Sequence, residues 1–209
     1  MKKIFLLTWP ILFLAQMVCA QEKIEAPTWN VGDKWILTQG AVIEVTDADN
    51  NGYKVRFPNE TVFFDKSTLN RAFVLQGKKR EAYKEGQRKL LNFPLTIGKS
   101  WKDNYSAQLQ WGETYTSRVN TSSFGDEASI FESYKVLGWE DVDVQAGSFK
   151  AIKVEYKKEW SSPATGIREG KSWYWYSPEV KYMVKCQYDK SQMWAKYSDW
   201  ELVSFHLAK

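Results

Sequence analysis

Histidine and cysteine are nearly absent: one His, His206, and two Cys, Cys19 and Cys186, occur in 209 residues. That scarcity excludes a zinc site built on several Cys and His ligands, and it excludes a disulfide scaffold. No Gly-x-Ser-x-Gly elbow is present, so a Ser–His–Asp triad would have to recruit His206 without the turn that usually presents its serine. Beyond residue 20 there is no apolar run long enough to cross a bilayer. Charge of one sign is lacking too, with 29 Lys and Arg against 25 Asp and Glu for a formal net charge of +4. So small an excess gives no reason to expect nucleic acid as a partner. Helical periodicity is the last absence. The best stretch, Lys78 to Leu91, is interrupted by Gly86 and has no sustained apolar stripe.

What the chain does have is aromatic residues: eleven Trp, eleven Tyr and eleven Phe, 16% of the total. It also has an address. Residues 1–20 read MKKIFLLTWPILFLAQMVCA. Lys2 and Lys3 form a basic region, Ile4 to Leu14 an apolar one, and Val18-Cys19-Ala20 a small-residue cleavage site. Pro10 and Gln16 interrupt a run already short of the roughly 20 residues a span requires. A lipid-modified Cys19 is disfavoured by the bulk of Val18 before it. We expect a helical signal peptide over 1–20, removed after Ala20, and a periplasmic or secreted protein with no stable membrane span. Removal takes away Lys2, Lys3 and Cys19, which lowers the formal charge from +4 to +2 and leaves Cys186 alone.

Period-two alternation marks half-buried strands through the rest of the chain. Tyr53, Val55 and Phe57 alternate with Lys54 and Arg56; Ile152, Val154 and Tyr156 alternate with Lys153 and Glu155. Tyr182, Val184, Cys186 and Tyr188 form a third run, and Ile130, Tyr134 and Val136 share a parity with Glu132. Asn51-Gly52 and Ala146-Gly147 supply hairpin turns between such runs. No linker divides the chain, so one domain is expected over 27–209. With no amphipathic helix to cover a sheet face, the sheet must curl. The expected fold is all-β: a single curved antiparallel meander of about ten strands, forming a barrel or half-barrel. Gly32-Asp-Lys-Trp35, Gly98-Lys-Ser-Trp101 and Gly170-Lys-Ser-Trp173 each place Trp three residues after Gly. We expect Gly32, Gly98, Gly147 and Gly170 to occupy structural turns, the first, second and fourth each launching a strand.

The chemical signals are thin. Gly170-Lys171-Ser172 lacks the earlier glycine of a phosphate loop, since Thr165 holds that position. Carboxylates are plentiful, but no spacing singles out an acid–base pair. Glu132 is the exception by parity, and an inward carboxylate there meets an Arg or lines a cavity. The cluster Lys78, Lys79, Arg80, Lys84, Arg88 and Lys89, interleaved with Glu81 and Glu85, reads as a solvated hairpin. In Trp173-Tyr174-Trp175-Tyr176 alternation sends the two Trp to one face and the two Tyr to the other. Either both faces are covered, or one lines a groove that stacks on a ligand. Trp101, Glu132, Trp173, Tyr174, Trp175 and Tyr176 are therefore the candidate ligand-binding residues. We assign no catalytic residue, no metal and no cofactor.

Several of these segments resemble one family. Val31-Gly-Asp-Lys-Trp35, Phe93-Pro-Leu-Thr-Ile-Gly-Lys-Ser-Trp101 and Val142-Asp-Val-Gln-Ala-Gly-Ser-Phe-Lys-Ala151 are three of its signatures. Tyr174-Trp-Tyr-Ser-Pro-Glu-Val180 and Trp200-Glu-Leu-Val-Ser-Phe205 resemble its closing strands. The family is that of the bacterial TapB-like, or domain of unknown function 3108-like, envelope proteins. The resemblance implies an exported β-rich domain and carries no catalytic residues. The expected role is non-catalytic binding of a hydrophobic ligand or an envelope protein partner. The alternatives are a carbohydrate-binding module using exposed Trp and a carboxylate-dependent hydrolase. Mass spectrometry of the periplasmic fraction should find a chain beginning at Gln21. An uncut chain, or an acylated Cys19 in the membrane fraction, would overturn the assignment.

Overall fold

The structure is a computed structural model and describes residues 23–76, 79–82, 89–108, 127–162, 166–190 and 197–209. The expected signal peptide lies outside these residues, as does most of the basic cluster after Ala82.

Among the described residues twelve strands form one antiparallel sheet. The first six are β1 Lys34–Leu37, β2 Val42–Ala48, β3 Gly52–Arg56, β4 Thr61–Asp65, β5 Arg71–Gln76 and β6 Lys79–Ala82. The second six are β7 Ser100–Gln108, β8 Glu127–Val144, β9 Gly147–Ser162, β10 Gly166–Ser177, β11 Tyr182–Tyr188 and β12 Trp200–His206. The only helical turn among the described residues is the three-residue 3₁₀ segment Thr38–Gly40. Spatial order runs β6-β5-β4-β3-β2-β1-β12-β11-β10-β9-β8-β7. Two meanders are thus fused where the first strand meets the last, in the register Lys34↔His206, Trp35↔Phe205 and Ile36↔Ser204. β6 and β7 end the sheet without pairing to each other. The curved antiparallel all-β fold is as the sequence predicts, and between barrel and half-barrel it is the open form.

One strand feeds two cores. Ile152, Val154 and Tyr156 on β9 pack with Tyr134 and Val136 of β8 in the second of two apolar clusters. Val142, Phe149 and Ala151 belong to the first, with Trp35, Val45, Val55, Trp175 and Leu202. The device is a bulge in β8 between Val136 and Gly138. Before it, even-numbered residues of β8 face the second cluster; after it, Val142 faces the first. One extra residue changes the side to which a period-two pattern points.

The second cluster has no second sheet above it, and the chain supplies its own cover. Ile24 and Leu95 pair antiparallel, with N···O distances of 2.9 and 2.8 Å, and both are buried. Leu90, Leu91 and Phe93 pack on the same cluster, and Trp101 Nε1 donates to the Lys89 carbonyl at 2.6 Å. This stretch lies in the connection between β6 and β7, at opposite ends of the sheet. It closes the sheet's open face without strand pairing.

Among the predicted turn glycines, Gly32, Gly98 and Gly147 have φ of +97°, +84° and +135°. Gly170 departs from the expectation. It lies inside β10, paired with Lys158 of β9, because the strand begins at Gly166, four residues earlier. Gly147 joins the two longest strands, β8 and β9, in a conformation that resists a Cβ. Gly147→Val should cost about 1–3 kcal/mol as local strain, and an unchanged melting curve would contradict it.

Candidate functional site

The predicted ligand-binding residues divide between the two faces of the sheet. Trp173 and Trp175 lie with the first cluster, whereas Tyr174, Tyr176 and Trp101 lie with the second. Trp175 is 4% exposed and lies between two ammonium groups, with Lys153 Nζ 4.8 Å and Lys185 Nζ 5.4 Å from its ring centre. Its Nε1 donates to Glu140 Oε2 at 2.7 Å. That hydrogen bond, helped by the nearby Lys153, holds the Glu140 carboxyl below its ordinary range against the opposing effect of burial. Trp173 is half-buried, with Lys171 Nζ 5.0 Å from its ring.

On the other face the aromatics stack across strands. Trp101 lies parallel to Tyr134 at 5.1 Å and 6°, and Tyr134 stacks on Tyr156 at 4.9 Å. Glu132, 4% exposed, sits one row further along. Tyr156 Oη donates to its Oε1 at 2.7 Å, and Tyr134 Oη donates to its Oε2 at 3.0 Å. Lys158 Nζ is 3.8 Å away. The structure combines the two fates the sequence left open: lysine stands in place of arginine, two phenols complete the shell, and Glu132 is among the residues lining a cleft. A buried carboxylate satisfied on both oxygens is a structural centre. Burial, reinforced by Glu132, pushes both phenols well above their ordinary range.

Residues that, apart from Tyr176, were not candidates for ligand binding make an apolar recess of about 60 Å³. Trp29, Phe64, Leu91, Phe93, Tyr182 and Met183 wall it, with Arg71 and Lys181 also in the lining. Of the predicted residues, only Tyr176 contributes. The recess forms where the first meander meets the covering stretch, so its parts come from residues 29, 57–71, 90–93 and 176–183. Trp29 anchors it: its Nε1 donates to the Lys181 carbonyl at 2.9 Å, and its ring meets Tyr53 and Phe64, each at 5.5 Å. Arg71 lies 3.8 Å from Glu60 and 5.8 Å from the Phe57 ring. Lys181 Nζ donates to the Thr28 carbonyl at 2.9 Å. Burial raises the Tyr182 phenol to about 12, slightly opposed by Arg71.

Among the described residues no group of three or more His, Cys, Asp or Glu could hold a metal ion. Among them, too, no helix is long and apolar enough to cross a membrane. His206 is exposed at the end of β12, and Cys186 is a buried core thiol raised by burial to about 12.

Fold and site together define an open, aromatic-rich antiparallel β protein with a self-supplied cover and a small apolar recess. The chain belongs to the DUF3108-like family, which it matches over residues 40–199. No curated protein matches it. Among solved structures it is similar to a candidate lipoprotein from Parabacteroides distasonis, at 16% identity and a TM-score of 0.42, over 89% of this chain and 100% of that one. The hypothetical lipoprotein YmcC from Escherichia coli is similar at 11% identity and a TM-score of 0.43, over 90% and 92% of the two chains. A candidate exported protein with a YmcC-like fold from Bacteroides fragilis is similar at 14% identity and 0.39, over 88% and 100%.

The buried phenols and thiol set a pH limit. In the unfolded chain Cys186 and Tyr182 lose protons near 9.0 and 10.0, whereas the folded state holds both protons to about 12. Between those values the native state binds more protons, so stability falls as pH rises. The melting temperature should be level from neutrality to about pH 9 and decline steeply above pH 10 as tyrosinate absorbance appears. A level melting temperature through pH 11 would refute the burial of these groups.

Proposed function

We propose that this is an exported, non-catalytic envelope protein that grips a short apolar side chain of a protein partner, with an acidic group beside it, in the recess at Trp29 and Tyr182. Export rests on the basic–apolar–small order of residues 1–20. The observation that carries the binding role is the recess, in which an apolar wall and two cations converge. Its size selects the occupant. About 60 Å³ is the share of roughly two liquid waters at about 30 Å³ each, enough for the end of a Leu or Phe side chain. A complete acyl chain needs several times more room. Burying such a tip yields about 25 cal/mol per Å² of apolar surface, and Arg71 and Lys181 add a preference for a neighbouring carboxylate.

The test is tryptophan fluorescence of the mature chain titrated with capped Leu-Glu, Leu-Lys and palmitate. Leu-Glu should give a saturable response, with Leu-Lys weaker. Leu91→Trp, which fills the recess, should weaken Leu-Glu at least tenfold, or about 1.4 kcal/mol. Equal binding of palmitate, or a Leu-Glu response that Leu91→Trp leaves intact, would defeat the proposal.

A further inference from the structure

A cleft of about 640 Å³, some ten times the recess, lies across β7, β8, β9 and β10. Its face follows from the register. Lys102, Ser133, Lys157 and Lys171 are cross-strand partners in one row, and Asn104, Phe131, Glu159 and Glu169 in the next but one. All eight line the cleft. Asp103, Glu132, Lys158 and Gly170, the row between, line it as well, while Glu132 bonds to Tyr134 and Tyr156 on the opposite side, neither of which lines it. The cleft therefore lies on four rigidly paired strands, with its exposed side chains, Lys102, Asn104, Phe131, Lys157 and Glu169, on the face away from Tyr134 and Tyr156.

Its chemistry is unlike that of the recess. Phe131 presents its ring to solvent, 44% exposed, flanked in its own row by Asn104 and Glu159. Four lysines, Lys102, Lys157, Lys158 and Lys171, face five carboxylates, Asp103, Glu132, Glu159, Glu169 and Asp189, so the cations and anions of the lining nearly offset one another. Lys157 and Lys171 are both held by Glu155, at 3.3 and 2.5 Å, which orients them and offsets part of their charge. An anion such as a phosphate ester would meet Glu159 and Glu169, and a cation would meet the lysines. A ligand that suits the site is uncharged, has an apolar face to lie on an aromatic ring, and carries hydroxyls that both donate and accept. That describes a pyranose ring, and the cleft volume lies within the usual range of about 300–1,000 Å³ for small-ligand sites.

We infer that this cleft binds a neutral oligosaccharide, with Phe131 as the stacking platform and Asn104, Glu159 and Lys102 as hydroxyl partners. The site lies on other elements than the recess and does not depend on the function proposed for it. Isothermal titration calorimetry of the mature chain with neutral gluco-, manno-, galacto- and chito-oligosaccharides, a sulfated oligosaccharide and a single-stranded oligonucleotide tests it. At least one neutral sugar should bind saturably with little dependence on salt. Phe131→Ala, at an exposed position whose variant keeps the wild-type circular dichroism, should weaken that binding at least tenfold, and Asn104→Ala should weaken it severalfold. Leu91→Trp should leave it unchanged. The inference fails if no neutral sugar binds, if only the sulfated sugar or the oligonucleotide binds, or if Phe131→Ala binds as the wild type does.

Discussion

Everything in this molecule hangs on the pairing of its first strand with its last. β1 is only four residues long, too short to anchor a six-stranded meander by its ladder alone. Side chains reinforce it. Asp33, fully buried, accepts the Asn30 N–H on Oδ2 at 2.9 Å and the Ala208 N–H on Oδ1 at 2.8 Å. One carboxylate thereby closes the turn that enters β1 and fastens the C-terminal segment beside it. Two residues later Trp35, also fully buried, donates its Nε1 to the Val180 carbonyl at 2.8 Å and stacks on Tyr182 at 4.8 Å. The short motif from Gly32 to Trp35 is thus a joint between the two halves of the sheet, held by charge-assisted hydrogen bonds in a dry setting.

The open form of the sheet is the second constraint. A curled sheet with free ends must cover a large apolar face by some means other than closure. Here the chain crosses that face itself, with Ile24, Leu90, Leu91, Phe93 and Leu95 lying over the aromatic stack. The consequence for function is direct. The broad groove that curvature would otherwise leave is largely filled, and what remains is the small recess at the margin of the cover. Space for a larger ligand lies on the other face, where β7 to β10 carry polar rows and one exposed ring.

The legibility of these features in the sequence differs by residue. The strands around Tyr53, Ile152 and Tyr182 were readable because each is half-buried in a regular ladder, where alternation maps directly onto burial. The turns at Gly52 and Gly147 were readable because each sits between two alternating runs. Glu132 was readable as inward by parity, though not its partners, since Tyr156 and Lys158 lie on another strand. Gly170 misled because the Gly-Lys-Ser-Trp tetrapeptide is local grammar; the same four letters precede a strand at Gly98 and lie within one at Gly170. Val142 shows a further limit. Its pattern is continuous with Val136, and only the bulge at Leu137 sends it to a different core. Phe131 gave no signal, since an aromatic residue in a strand ordinarily points inward.

By itself, then, the sequence determined the β class, the alternating runs around Tyr53, Ile152 and Tyr182, the turn glycines at 32, 98 and 147, and the division of Trp173 and Trp175 from Tyr174 and Tyr176. All of these depend on neighbours within a few residues along the chain, where the period of a strand and the freedom of a glycine act. Tertiary structure alone decided the fusion of β1 with β12, the crossing of residues 89–95 over the open face, the recess assembled from four separate segments, and the side of the sheet on which the polar cleft opens. Those depend on contacts between residues up to 178 positions apart, as between Asn30 and Ala208. Such contacts are set by how a twisted sheet of this length packs against itself, and no local periodicity encodes that geometry.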